Sequence, residues 1–174
     1  QDVPVYGCLA EARIRDPEGK QARTQPEAYR ARAMQVWGAG ADGVSLFNCS
    51  DARSPLFREL GDRQVLARRD RTYYASARGR GKPAGNLVPY RDLLTVPTLS
   101  PDDPVQLQPG VELVTTITVG EDVGSAGLGG DTEVGLRLTQ LESAAQLDVR
   151  LNHVPVSGLR LQGQWLTARL DRYG

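Results

Sequence analysis

Apolar positions along the first 70 residues alternate between short solid runs and helical stripes. Residues 3–9, "VPVYGCL", form a short apolar run of the kind expected of a strand buried on both faces. A polar stretch, "AEARIRDPEGKQAR", follows and predicts a loop, with Asp16-Pro17-Glu18-Gly19 as its turn. Residues 24–38 then carry helix-start signals. Thr24 is placed to cap, Pro26 lies in the first turn, and Glu27 stands three residues after Thr24 as in a capping box. Tyr29, Ala33, Val36 and Trp37 recur at helical spacing and predict the buried stripe. Gly38 and Gly40 are placed to stop the helix in left-handed geometry. "GVSLFN" predicts a second short strand. "SPLFRELG" predicts a helix with Ser54 as cap and Pro55 at the first position, and "DRQVLARRD" a further helix. The order is βαβα, which requires a parallel strand pair and a right-handed crossover.

From Leu93 the pattern changes to a period of two. "LLTVPTL", "ELVTTITVG", "EVGLRLTQL", "LDVRLNHVPV" and "QWLTARL" are short β-branched or leucine-rich runs broken by Pro, Gly and Asp. They predict an antiparallel β-sandwich or jelly roll. "GEDVGSAGLGGD" between them is a Gly-rich loop. "TYYASARGRGKPAGNLVPYRD" predicts a connector held to one unit through Tyr73 and Tyr74. The predicted organisation is therefore a βαβα segment over residues 1–71, a connector over 72–92 and a β-sandwich over 93–174.

Charge sharpens this division. The formal net charge is zero, but residues 1–92 carry 16 Lys and Arg against 11 Asp and Glu, and residues 93–174 carry 5 against 10. The global field therefore favours no polyanion, and nucleic acid is not an expected partner. "ARGRGKPAGN" is basic but lacks the interleaved aromatics of a nucleic-acid-binding surface. Residues 3–9 are too short for a signal segment or a membrane span.

The chemistry-bearing residues are few. Cys8 and Cys49 make no disulfide framework and are too few for a structural zinc site, so neither metal nor cofactor is expected. "GSAGLGGD" has no following Lys-Ser/Thr pair and is no phosphate loop. The sole histidine, His153, falls in a turn-like "NHVP", which removes any Ser-His-Asp constellation. Trp165, in "QWLTARL", is either a core residue or an exposed ring that stacks on a sugar.

A single βαβα unit leaves its sheet edges bare. Either it docks on the β-rich part, or it is the end of a larger (β/α)8 barrel; the opening Gln1 in place of Met favours the second expectation. The stretch "YRARAMQVWGAGADGVSLFN" resembles the last helix–strand unit of glycoside-hydrolase-like TIM barrels, in which a helix ends in "AGADG" and an apolar strand ends in "FN". "SPLFRELGD" resembles the final barrel helix. "LDVRLNHVPV" and "GQWLTARL" resemble the C-terminal β-sandwich of such proteins, with His153 standing where a Gly is usual.

The resemblance implies a fold class of α/β followed by all-β, a partial (β/α)8-barrel segment joined to an antiparallel β-sandwich. It also implies a carbohydrate partner, a missing N-terminal barrel segment, and a secreted or periplasmic location. In such barrels the site lies at the C-terminal strand ends. Glu11 follows the first strand, and Asn48 and Asp51 follow the second. Glycoside hydrolysis needs two flanking carboxyls, and Glu11 and Asp51 are the carboxyls near both rims. Asn48 either bonds a sugar hydroxyl or caps the loop. With two of eight barrel strands, the chain alone is expected to be inactive. A non-catalytic carbohydrate-binding module and a structural or cell-surface module are the alternatives.

Overall fold

The computed structural model describes residues 3–10, 17–47, 51, 53–75, 104–121 and 132–170. The chain forms two compact units, Gln1–Glu121 and Asp122–Gly174.

In the first unit, β1 (Tyr6–Ala10) and β2 (Gly43–Phe47) pair in parallel, with Tyr6 opposite Gly43 and Ala10 opposite Phe47. The helix α2 (Pro26–Gly38) connects them and packs against both, as the crossover argument requires. Two short helices follow, α3 (Leu56–Leu60) and α4 (Arg63–Ala67), and both lie against α2. Leu9, Ala33, Met34, Leu60 and Leu66 form the core, with Tyr29, Val36, Trp37, Val44, Leu46 and Leu56 packed around it. The Trp37 indole N–H donates to the Leu60 carbonyl at 3.0 Å, which ties α3 to α2. The Asp62 side chain caps α4 by accepting from Gln64 and Val65 N–H at 2.8 and 3.2 Å.

The stretch "WGAGADG" works as a stop followed by a clip. The Ala41 N–H donates to Val36 O and the Gly40 N–H to Trp37 O, the paired bonds of a Schellman ending. Gly40 sits at φ 84°, where a Cβ would strain the backbone. Gly38 serves differently. It is the last helical residue, and a Cβ there would run into the Gly120 carbonyl; a Cβ on Gly120 would in turn meet the Met34 backbone. Asp42 then fixes the strand pair. Its N–H donates to Val5 O at 2.8 Å, and its Oδ2 accepts from Val5 N–H at 2.7 Å.

Three expectations about the first 121 residues are corrected. The loop predicted before α2 is in part a helix, α1 (Pro17–Arg23). Pro17 suits the first helical turn, and the one Gly in the segment, Gly19, costs only ~1 kcal/mol of propensity, which contact of α1 with α2 can offset. Thr24 does not cap α2. Its hydroxyl donates to the Lys20 and Gln21 carbonyls at 2.9 and 3.1 Å in the last turn of α1, and so is turned away from the start of α2. Gln25 occupies the cap position without a capping bond; its Nε2 donates back to the Gln21 carbonyl at 3.2 Å.

The third correction concerns "ELVTTITVG". It is no strand, and residues 104–119 are exposed and belong to the first compact unit. Alternation alone makes no strand where no neighbouring strand supplies a ladder among the described residues. The end of this segment is held by side chains instead. Gln35 Nε2 donates to the Thr118 carbonyl, Arg71 Nε to Glu121 Oε1 at 2.9 Å, and the Tyr73 hydroxyl to Glu121 Oε2. "LLTVPTL" and connector residues 76–92 lie outside the described residues.

Among the described residues of the second unit every strand pair is antiparallel. Strands β3 (Glu133–Arg137), β6 (Arg160–Gln162) and β7 (Trp165–Arg169) form one sheet in the order β3-β7-β6. β4 (Arg150–Leu151) and β5 (Val154–Pro155) form a separate hairpin. Its two turn residues, Asn152 and His153, have φ of 49° and 69°, as a type I′ turn demands. His153 is thus exposed in a turn, in a left-handed conformation that Gly would adopt without strain. Leu166 and Ala168 are buried on one face of the sheet.

Two outcomes follow for stability. Asp42→Ala removes an acceptor from the strand pair and is expected to lower unfolding free energy by roughly 1 kcal/mol, with Asp42→Asn milder; urea denaturation checks this. Tyr73 supplies a pH test. Burial first, then its hydrogen bond to the Glu121 carboxylate and the carboxylate's charge, raise the phenol above its ordinary value. The neutral phenol is favoured in the folded state. Its contribution is fully present below the unfolded value of about 10 and is lost as pH rises beyond it. The stability advantage of the wild type over Tyr73→Phe should therefore be smaller at pH 11 than at pH 8.

Candidate functional site

Two places carry the residues singled out in the sequence. The first is the C-terminal end of the parallel pair. Glu11 and Asn48 lie outside the described residues, as does Cys49. Asp51 is described and exposed. Its Oδ1 accepts from the Arg53 N–H at 3.0 Å and its carbonyl from the Ser54 N–H at 3.1 Å. That is a turn leading into α3, where a short acidic side chain satisfies loop backbone. Asp51 stands four residues after the end of β2 in the chain, held in this turn.

The face of the β1–β2 sheet turned away from α2 is also informative. Strand alternation puts Val44 and Leu46 toward the core, and Gly43, Ser45 and Phe47 on the other side. On β1 the corresponding residues are Tyr6, Cys8 and Ala10. The Tyr6 ring lies over Gly43. Tyr6 is 61% and Phe47 55% exposed, and Cys8 is an exposed free thiol. A parallel sheet is ordinarily covered on both faces, and here two aromatic rings stand open beside a thiol.

The second place is the open face of the β3-β7-β6 sheet. Leu166 and Ala168 point to the packed side, so Trp165, Thr167 and Arg169 point to the other. Register brings Arg137 opposite Trp165, Gly135 opposite Thr167 and Glu133 opposite Arg169 from β3. It brings Gln162 opposite Trp165 and Arg160 opposite Thr167 from β6. Trp165 is 47% exposed, not a core residue. Its six-membered ring lies diagonally over Gly135, close to where a Cβ would stand. A Cβ at 135 would meet two ring carbons at 3.6 Å, an ordinary packing contact, so the ring rests against this part of β3. Arg137 donates from Nε and Nη2 to Gln164 Oε1 at 3.2 and 3.0 Å, which fixes its guanidinium beside the turn that precedes Trp165.

Sequence reasoning found Trp165 and missed its neighbours. Arg137, Arg160, Gln162 and Arg169 share its face only through the register, and β6 was not among the predicted strands. The signal for β6 was the polar–apolar alternation of Arg160-Leu161-Gln162 before Gly163, a two-residue turn away from Trp165.

Among the described residues no group of three or more His, Cys, Asp or Glu could hold a metal ion. No described helix is long and apolar enough to cross a membrane. Compared with protein-family models, curated proteins and solved structures, the chain matches nothing.

Proposed function

We propose that the chain is the C-terminal portion of a glycoside-hydrolase-like protein that acts on or binds carbohydrate. Residues of the first unit form the last βα units of a (β/α)8 barrel, and the β-rich unit, a sandwich in the complete protein, is its accessory domain. One observation carries the reading: a parallel strand pair covered by α2 on one face, with Tyr6, Cys8 and Phe47 open on the other. In a barrel that face is the interior, filled by side chains from the remaining strands. The upstream barrel segment is then the partner this unit lacks.

In this reading Glu11 and Asp51 are the carboxyl pair at the strand rim. One protonates the leaving oxygen while the other acts as nucleophile or base, at ~5 Å separation for retention and ~6.5–9.5 Å for inversion. Asn48 bonds a sugar hydroxyl. Trp165 contacts carbohydrate from the accessory domain, and its exposure favours a binding role for that unit over a purely structural one.

The test joins the chain to its upstream reading frame. In a Cys49→Ser background, Cys8 of the chain alone should react with a thiol reagent like a free thiol. In the longer protein it should react roughly tenfold or more slowly, since reaction then needs local opening. Glu11→Gln and Asp51→Asn should each abolish aryl-glycoside turnover by the longer protein while leaving that protection intact. Equal Cys8 reactivity in both forms contradicts the barrel reading. Undiminished turnover in either variant contradicts the assigned pair.

A further inference from the structure

From the open face of the β3-β7-β6 sheet we infer that this protein binds an anionic polysaccharide, one whose sugars carry carboxylates, with Trp165 as the stacking platform and Arg137, Arg160 and Arg169 as the carboxylate contacts. The inference rests on the carbohydrate reading above and narrows it to a ligand class.

Charge placement is the first ground. The second unit, residues 122–174, carries 5 basic against 6 acidic side chains and is close to neutral overall. Three of those five basic residues share one face of one sheet, with Glu133 as the acidic residue placed there by the register. All three arginines are exposed. A cluster of like charge on a nearly neutral unit attracts an anion locally.

The second ground is the aromatic ring at the end of that patch. Its six-membered ring reaches diagonally across the sheet to Gly135 and stays about half exposed. An aromatic face is electron-rich, and the C–H bonds on the apolar side of a sugar ring carry the complementary partial charge. Gln162 and Gln164 flank the ring with amide groups suited to hydroxyls. Arginine presents a planar fork of donors that matches a carboxylate in two-point contact. Trp165 and Arg169 lie four residues apart on β7, roughly 13 Å at ~3.4 Å per residue. The face therefore spans more than one sugar ring. A nucleic acid is the weaker fit, because single-strand binders stack successive bases on several aromatics, and here one ring is offered.

Affinity electrophoresis of the full chain tests this, in gels containing polygalacturonate, alginate, neutral galactan, dextran or single-stranded DNA. The two acidic polysaccharides should retard the protein, and the neutral ones should not. Retardation should weaken with added salt, as contacts between exposed charges are screened. Trp165→Ala should weaken binding roughly tenfold or more, the scale of an aromatic anchor, and Trp165→Phe should restore part of it. Arg160→Ala and Arg169→Ala should each weaken binding to polygalacturonate severalfold, with circular dichroism confirming the fold. Equal, salt-insensitive binding of neutral glycans would overturn the ligand class and leave the carbohydrate reading standing. Tighter binding of DNA would overturn the sugar assignment. Binding of acidic glycans unchanged in the Trp165 and arginine variants would overturn the site. No retardation by any glycan would overturn both this inference and the carbohydrate role of the β-rich unit.

Discussion

The reciprocal bonding of Asp42 to Val5 is the interaction on which the first unit depends. A parallel pair cannot be closed by a tight turn, so its register must be set where the crossover helix delivers the chain to the second strand. Gly40 ends α2 with two backbone bonds, and Asp42, two residues later, bonds the backbone just ahead of β1 through both main chain and side chain. Tyr6 then falls opposite Gly43, and the rest of the register follows. With the register set, Leu9, Val44 and Leu46 meet Ala33, Val36 and Trp37 from α2. The remaining helices add their contacts to a pair already in place.

The same register exposes Tyr6, Cys8 and Phe47 together, since a period of two sends them all to the face away from α2. That open face in the first unit has its counterpart in Trp165 of the second. Both are aromatic surfaces on sheets whose other side is packed. They differ in their surroundings. Ser45 and Cys8 flank the first, a composition suited to further protein packing, whereas arginines and glutamines flank the second, a composition suited to a hydrated, charged ligand.

Much of the first unit was legible because its signals are local. Gly40 and the apolar stripe of α2 predicted the helix and its stop, and the two apolar runs predicted the parallel pair. Signals that depend on context were misleading. Thr24 has the chemistry of an N-cap, but a preceding helix claims its hydroxyl. "ELVTTITVG" has strand composition, but a strand requires a partner, and this segment instead meets α2 at Thr118 and Gly120, while the next residue, Glu121, bonds Arg71 and Tyr73. In the second unit, "EVGLRLTQL", "LDVRLNHVPV" and "QWLTARL" each contain observed strands, whereas β6, three residues long, is too short to announce itself. The candidate site was less legible still. Asp51 and Trp165 could be picked out as chemistry, but the arginines around Trp165 converge only through cross-strand register, which no single segment encodes.

Amide hydrogen exchange, resolved by peptide, reads the clip and the crossover at once. β1 and β2 should be protected together, on the time course of α2, because one crossover and one clip hold them. Residues 105–117, which lack a ladder among the described residues, should exchange at the rate of an open chain. Rapid exchange throughout β1 and β2 while α2 stays protected would contradict the parallel pair, and with it the face from which the functional reading begins.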